Sequence, residues 1–353
     1  MAIRSIQLSR RTFGSAFLAG SLTGLLSSAT SRAAEAKLYE PQAGENHVGF
    51  RKASLTYEGS DRTQRKRDLL IWYPSAVPAK EHNYRGQVGY VTVDSEVAHG
   101  KHPLILFSHG FLGSADQSIF LTEGLARRGY IVACAAHADG LLQKRDKPMP
   151  LPRFADAKSW NEDKFRDRRE DVVALLDHLL DENTKSGSAW NGRVNPTAVG
   201  MSGHSLGGYT TLGLVGGWQK STDKRIKAAL ALSPYTLPYH EQGNIADVQV
   251  PVMFQGGTFD WGITPLIPPV YKKVSGPKYY LVLKNETHFG WTNLIALGKL
   301  TTDVVKAGNA QLMLDFSAAF FDRHLRGDQD SKLLDEQNAR LSSYEFAKSA
   351  ATR

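Results

Sequence analysis

One cysteine among 353 residues, Cys134, leaves no partner for an intramolecular disulfide. It falls in an apolar run, residues 130–136 (YIVACAA), where a small buried side chain suits a core strand, so it reads as packing. The histidines at 99, 102 and 109 form no paired metal motif and no cysteine cluster exists, so no metal is expected. The chain has no phosphate-binding loop and no dinucleotide fingerprint with its trailing acid, so no cofactor is implied. The formal charge is +8, but no basic stripe interleaved with aromatics accompanies it. Its densest basic run, Arg62 to Arg67, reads as a solvated turn or strand edge, and no nucleic-acid partner is expected. Long apolar runs are also missing, so no membrane span is expected.

The N-terminus departs from this plain composition. Ser9-Arg10-Arg11-Thr12-Phe13 is a twin-arginine pattern, followed by a short apolar stretch from Phe17 to Leu26 and by Ala34-Glu35-Ala36. Residues 1–36 therefore read as a twin-arginine signal peptide. Its expected partner is the twin-arginine export machinery, and the expected destination is the periplasm or the medium. Removing it takes away Arg4, Arg10, Arg11, Arg32 and Glu35, so the charge falls from +8 to +5.

The remaining chain, residues 37–353, reads as one domain. Residues 48–57 (VGFRKASLTY) and 67–73 (RDLLIWY) are strand-like, and a loop then leads to a buried strand at 103–107 (PLILF). Helix is expected from Gln117 to Arg127, strand at 130–136, and an amphipathic helix at 163–180 (DKFRDRREDVVALLDHLL). A short strand at 197–201 (TAVGM) meets a helix at 206–215. Strands at 228–232, 251–255 and 278–282 follow, and a helix at 311–325 closes the chain before Gly327. Apolar strands alternating with helices imply an α/β fold with a mostly parallel central sheet and helices on both faces.

Residues 200–208 read GMSGHSLGG, and Gly203-His204-Ser205-Leu206-Gly207 fits G-x-S-x-G. A sharp strand-to-helix turn forces the serine backbone into strain and needs glycine where chains approach closely. It presents the hydroxyl at a helix N-terminus, which favours developing negative charge. Serine alone is a poor nucleophile and needs a base held by an acid. Asp260 follows the strand at 251–255, and His288 follows the strand at 278–282. Both fall at strand carboxyl ends, where sites in open α/β sheets gather, so Ser205, Asp260 and His288 are the expected catalytic triad. His204 lies inside the turn and points away from a base's position. His240 follows a strand too early to reach Ser205.

An oxyanion needs two backbone donors. Leu206 N–H follows the nucleophile, and Phe111 N–H in Ser108-His109-Gly110-Phe111 is the second candidate. His109 either fixes that loop or is an ordinary turn residue. Phe111, Tyr235, Trp261, Phe289 and Trp291, with Phe259, flank these elements and are expected to line an apolar substrate pocket. The irregular stretch 139–159, with three prolines, is either a lid or a surface loop.

These motifs resemble a known group. The segments LLIWYPS, PLILFSHGFLGS, RREDVVALLDHLL, GHSLGG and FSAAFFDRHLRGD are similar to bacterial α/β-hydrolases of the dienelactone-hydrolase-like kind. They also resemble the platelet-activating-factor acetylhydrolases and the cutinase and polyester-hydrolase group. The resemblance runs from about Val48 to about Gly327 and implies the α/β-hydrolase fold. In the acetylhydrolases the acid follows the strand after the nucleophile helix. Here that strand ends in Ser233-Pro234-Tyr235, and the acid comes one strand later, as in the cutinase-like group. Dienelactone hydrolases proper use a cysteine nucleophile where this chain has Ser205. Cutinases of that group tend to carry a disulfide, which one cysteine excludes. The implied function is an exported carboxylic-ester hydrolase acting on a small-molecule, lipid or polymeric ester. An amidase or peptidase on the same triad and a non-catalytic binding protein are the alternatives.

Overall fold

The computed structural model describes residues 41–143, 151–164, 166–296 and 308–348. The expected signal segment, residues 1–36, lies outside them. The strands are β1 His47–Glu58, β2 Gln64–Ser75, β3 Lys80–Tyr84, β4 Gln87–Val93, β5 His102–Ser108 and β6 Ile131–Ala135. They continue as β7 Val194–His204, β8 Ile226–Leu232, β9 Val252–Gly257, β10 Lys278–Leu283 and β11 Leu341–Ala347. The helices are α1 Ile119–Arg127, α2 Arg166–Thr184, α3 Leu206–Leu212, α4 Pro238–Glu241, α5 Ile267–Lys273 and α6 Ala310–Phe321. All eleven strands form one sheet in the order β11-β10-β9-β8-β7-β5-β6-β2-β1-β4-β3. From β10 to β6 every pairing is parallel, and antiparallel strands flank this block on both sides.

Strand alternation builds a core on each face. In β5, Ile105 and Phe107 pack with α1 and α6, while Leu104 and Leu106 face α2, α3 and α5. In β6, Val132 and Cys134 take the first face and Ile131, Ala133 and Ala135 the second. Cys134 is thus a buried core residue, and burial pushes its thiol pKa up. Large buried side chains such as Phe320 and Trp72 each stabilise by about 1.5–3 kcal/mol.

Two elements differ from the sequence reading. The expected loop before β5 contains the β3–β4 hairpin, turned by Arg85 (φ 52°) and Gly86 (φ 100°). Successive positive φ values suit a two-residue hairpin, but Arg-Gly is a weak turn signal beside Asn-Gly. Strand β11 was likewise not expected; it pairs antiparallel with β10 and covers that edge. The helix expected at 206–215 is regular only to Leu212 and then widens through Gly213–Gly217. The closing helix widens after Phe321 and stops at Gly327, whose φ of 76° is a left-handed cap.

The hairpin is fastened to α1 through a buried charge. Glu123 accepts from Tyr90 N–H at 3.1 Å and pairs with Arg127 one turn along. A Cβ on Gly89 would lie 2.1 Å from the Glu123 carboxylate, so the strand has glycine there. Replacing Glu123 with Ala leaves Arg127 buried without this carboxylate and is expected to cost about 3–5 kcal/mol. Urea unfolding checks it, and replacing both residues with apolar ones of similar volume should recover most of the loss.

Candidate active site

Because β5, β7, β8, β9 and β10 run parallel, their carboxyl ends lie along one sheet edge. Ser205 stands at the end of β7 with φ 55° and ψ −114°, a conformation that side chains rarely adopt. The surrounding backbone holds it there. Ser205 N–H donates to the Leu232 carbonyl at 3.0 Å, and Tyr235 N–H donates to the Ser205 carbonyl at 3.0 Å. A Cβ on Gly203 would lie 2.3 Å from the Gly207 carbonyl oxygen, and one on Gly207 would lie 1.8 Å from that of Ser108. Glycine at these positions is therefore a steric requirement.

The sheet edge brings the three expected triad residues together. The Ser205 hydroxyl lies 2.9 Å from His288 Nε2, and His288 Nδ1 lies 3.1 Å from Asp260 Oδ2. A carboxylate only accepts, so Nδ1 carries the proton and Nε2 is left as the acceptor facing Ser205. Asp260 is buried and His288 mostly buried. A fourth group meets them. The Ser233 hydroxyl donates to Asp260 Oδ2, and its oxygen is 2.9 Å from His288 Nδ1.

The loop after β5 is held from beneath by buried polar groups. Arg168 of α2 donates to the carbonyls of His109 at 2.6 Å and Gly110 at 3.1 Å, and it pairs with Asp139 at 2.8 Å. Burial alone would raise the Asp139 carboxyl, but Arg168 overrides it and holds it below the usual range. In a trans peptide the carbonyl and the next N–H point oppositely. Arg168 and His109 Nδ1 both hold the Gly110 carbonyl, so Phe111 N–H is turned away from them. That N–H has no hydrogen-bond partner among the described residues, whereas Gly110 N–H is taken by Gln117 Oε1 at 2.9 Å. Leu206 opens α3, and no carbonyl lies one turn back within the helix for its N–H.

A hydrogen-bond thread joins this loop to the segment of His288. Gln117 Nε2 donates to His204 Nδ1 at 3.1 Å, and His204 Nε2 donates to the His288 carbonyl at 2.8 Å. Asn293 Oδ1 accepts from Ile119 N–H, Asn293 N–H donates to the Gln117 carbonyl, and the Ser118 hydroxyl donates to the Trp291 carbonyl. Both His204 ring nitrogens are thus committed to Gln117 and the His288 carbonyl, and neither bonds Ser205. The sequence reading missed Gln117, Arg168 and Ser233. Arg168 was absorbed into an amphipathic pattern, and Gln117 and Ser233 carry no motif.

The aromatics divide by burial. Trp261, Phe259 and Phe289 are 79, 50 and 49% exposed beside Asp260 and His288. Phe111 is partly buried against Phe154, with ring centroids 5.5 Å apart. Two expected pocket residues are corrected. Trp291 is 0% exposed, donates to Gln255 and stacks on His204, so it belongs to the core. Tyr235 is 2% exposed, and its hydroxyl donates to the Phe154 carbonyl, so it supports the site from below. The stretch 139–159 is anchored at Asp139 by Arg168 and at Phe154 by Phe111, Tyr235 and Trp160. Residues 144–150 lie outside the described residues. Among the described residues no His, Cys, Asp and Glu side chains cluster to hold a metal ion.

The chain is similar in part to known proteins. A family described as PET hydrolase-like matches residues 156–307, a span that includes Ser205, Asp260 and His288. Cutinase est2 of Thermobifida alba is 27% identical over 189 residues, covering 52% of each chain. The platelet-activating factor acetylhydrolase of Cavia porcellus is 29% identical over 173 residues, 40% of this chain and 37% of that one. The chain thus spans about half the length of the cutinases it matches. Among solved structures, a ferulic acid esterase from Streptomyces cinnamoneus superposes with a TM-score of 0.61 at 21% identity, over 88% of this chain and 98% of that one.

Several histidines here are held neutral by burial. His109 and His204 lie well below the ordinary histidine pKa; burial is the main cause, reinforced by the neighbouring His137 and His288 respectively. Burial and then Arg168 lower His137, against the opposing pull of Asp171. His324 is pushed down to about 4 by burial and Arg323. In the unfolded chain each titrates near 6.5, so below that pH the unfolded state binds more protons. Stability should therefore be full above about pH 6.5 and fall as pH drops, by up to about 1.4 kcal/mol per unit for each group. Denaturant midpoints measured across that range test the sign.

Proposed function

We propose that this chain, which has the α/β-hydrolase fold, is an exported serine carboxylic-ester hydrolase that works through an acyl-enzyme. The observation that carries the reading is the 2.9 Å approach of His288 Nε2 to a Ser205 hydroxyl presented on a strained turn. The similarity to cutinases and to the PET hydrolase-like family supports the ester class.

Ser205 Oγ attacks the ester carbonyl carbon while its proton passes to His288 Nε2. Asp260 keeps the other imidazole proton on Nδ1 and stabilises the cation that forms. The carbonyl oxygen becomes an oxyanion and takes the Phe111 and Leu206 amides; such a donor is typically worth about 10²–10³ in kcat. The intermediate collapses, and the alkoxide leaves with the proton from His288. Water then enters, gives a proton to His288 and attacks the acyl carbon, and Ser205 departs with its proton restored.

The acyl or aryl part of the substrate rests on the exposed rim of Phe259, Trp261 and Phe289, with Phe111 at its margin. An open apolar rim of this kind suits a hydrophobic ester, including a lipid or a polyester chain. Export by the twin-arginine route follows from the motif at Arg10 and Arg11, with residues 37–353 as the mature catalytic domain.

Turnover of p-nitrophenyl esters of increasing chain length by the mature protein tests this. Ser205→Ala should abolish it, and a fluorophosphonate should label the parent protein and not the variant. Loss of turnover by a factor of about 10⁴ or more is expected. If the parent protein leaves every ester intact yet cleaves amides, the reaction class is wrong. If neither is cleaved, the binding-protein alternative stands.

A further inference from the structure

We propose that Ser233 is a positioning residue of this site, a fourth member that holds the acid and the base in register. The inference rests on the reading of Ser205, His288 and Asp260 as the triad and adds a residue that the G-x-S-x-G pattern does not mark.

Three observations carry it. Ser233 immediately follows β8, the strand between the one that leads to Ser205 and the one that leads to Asp260, and it is 0% exposed. Its backbone is unusual for a serine: φ is 39°, in the left-handed region, fastened by a 2.7 Å bond from its N–H to the Gln255 carbonyl. Its hydroxyl is fully used by the other two groups. The one hydrogen goes to Asp260 Oδ2, and the oxygen lies 2.9 Å from His288 Nδ1. The Nδ1 proton is thus shared between two acceptors, and the serine oxygen is the nearer, since Asp260 Oδ2 is at 3.1 Å.

This arrangement constrains two torsions together. Asp260 is buried, and His288 is its ion-pair partner among the described residues. Its remaining side-chain contact is Thr264 Oγ1 at 3.5 Å, and that oxygen already accepts from Gly257 N–H at 2.9 Å. Without the Ser233 hydroxyl the carboxylate keeps only this long contact and the histidine, and it can turn about its own axis. The imidazole turns with it, because Nδ1–H follows its acceptors, and Nε2 then leaves the line to Ser205 Oγ. The groups facing the imidazole are then Asp260 at the end of β9, His204 at the end of β7 with ring centroids 4.8 Å away, and Ser205. His204 holds the His288 backbone carbonyl and so fixes the main chain, not the ring. The ring's orientation falls to Asp260 and Ser233.

Ser233 has no surface for a substrate, so its loss should act on kcat and leave KM in place. Ser233→Ala is expected to lower kcat roughly tenfold, with KM within about twofold, and to slow fluorophosphonate labelling of Ser205 in parallel. The low-field resonance of the His288 Nδ1 proton should shift in the variant, which a packing role alone would not cause. Ser233→Gly separates hydroxyl from backbone strain, because glycine accepts a positive φ. It should fold at least as well as the alanine variant and show the same loss in kcat. Wild-type kcat in both variants would overturn the proposal, as would recovery of activity by glycine alone. Ser205→Ala, assayed beside them, keeps the two readings apart. If it remains active, the triad reading fails. If it is dead while both Ser233 variants are fully active, only the role of Ser233 fails.

Discussion

The turn at Ser205 is the constraint around which the rest of the site is arranged. A serine held at φ 55° would relax if its neighbours allowed it. They do not, because Gly207, in the first turn of α3, lies against the Ser108 carbonyl of β5, and Gly203 of β7 lies against the Gly207 carbonyl. The strain is thus distributed into β5, β7 and β8, whose buried residues give it a rigid frame. The same packing that fixes Ser205 also fixes the carboxyl ends of the adjacent strands, beyond which Asp260 and His288 follow.

Precision then comes from polar groups that the sheet alone would not provide. Arg168 grips two carbonyls of the β5 loop, and Gln117 and His204 tie that loop to the backbone of His288. Buried charge is costly unless paired and fully hydrogen-bonded. Arg168 meets this condition through Asp139 and two carbonyls, and the neutral His137 is hydrogen-bonded to Asp171 and Ser108. Such a network favours one arrangement over many and couples two loops that would otherwise move separately. It also makes the fold sensitive to acid, since the neutral histidines within it must take up protons to unfold.

The rim differs in kind from this interior. Phe259, Trp261 and Phe289 flank Asp260 and His288 but remain about half exposed or more. The resemblance to cutinases and to the acetylhydrolase spans about half of the chain or less, while the fold matches a ferulic acid esterase over most of it. The rim lies on loops, which vary more freely than the sheet that carries them.

Much of this was legible in the sequence. Strands buried on both faces are continuous apolar runs, so the parallel block could be read from composition alone. The order Ser205, Asp260, His288, each after such a run, placed three residues at one edge because parallel strands share a direction. Glycine spacing marked the turn because only steric exclusion demands it. What tertiary structure alone decided was the identity of the supporting groups. Ser233, Gln117 and Arg168 lie 27 or more residues from some of the groups they hold, and no local period marks a hydrogen bond across such a distance. The β3–β4 hairpin and β11 escaped because edge strands carry little apolar signal. Tyr235 and Trp291 misled for a related reason: an aromatic just beyond the carboxyl end of a strand faces either core or solvent, and only packing chooses between them.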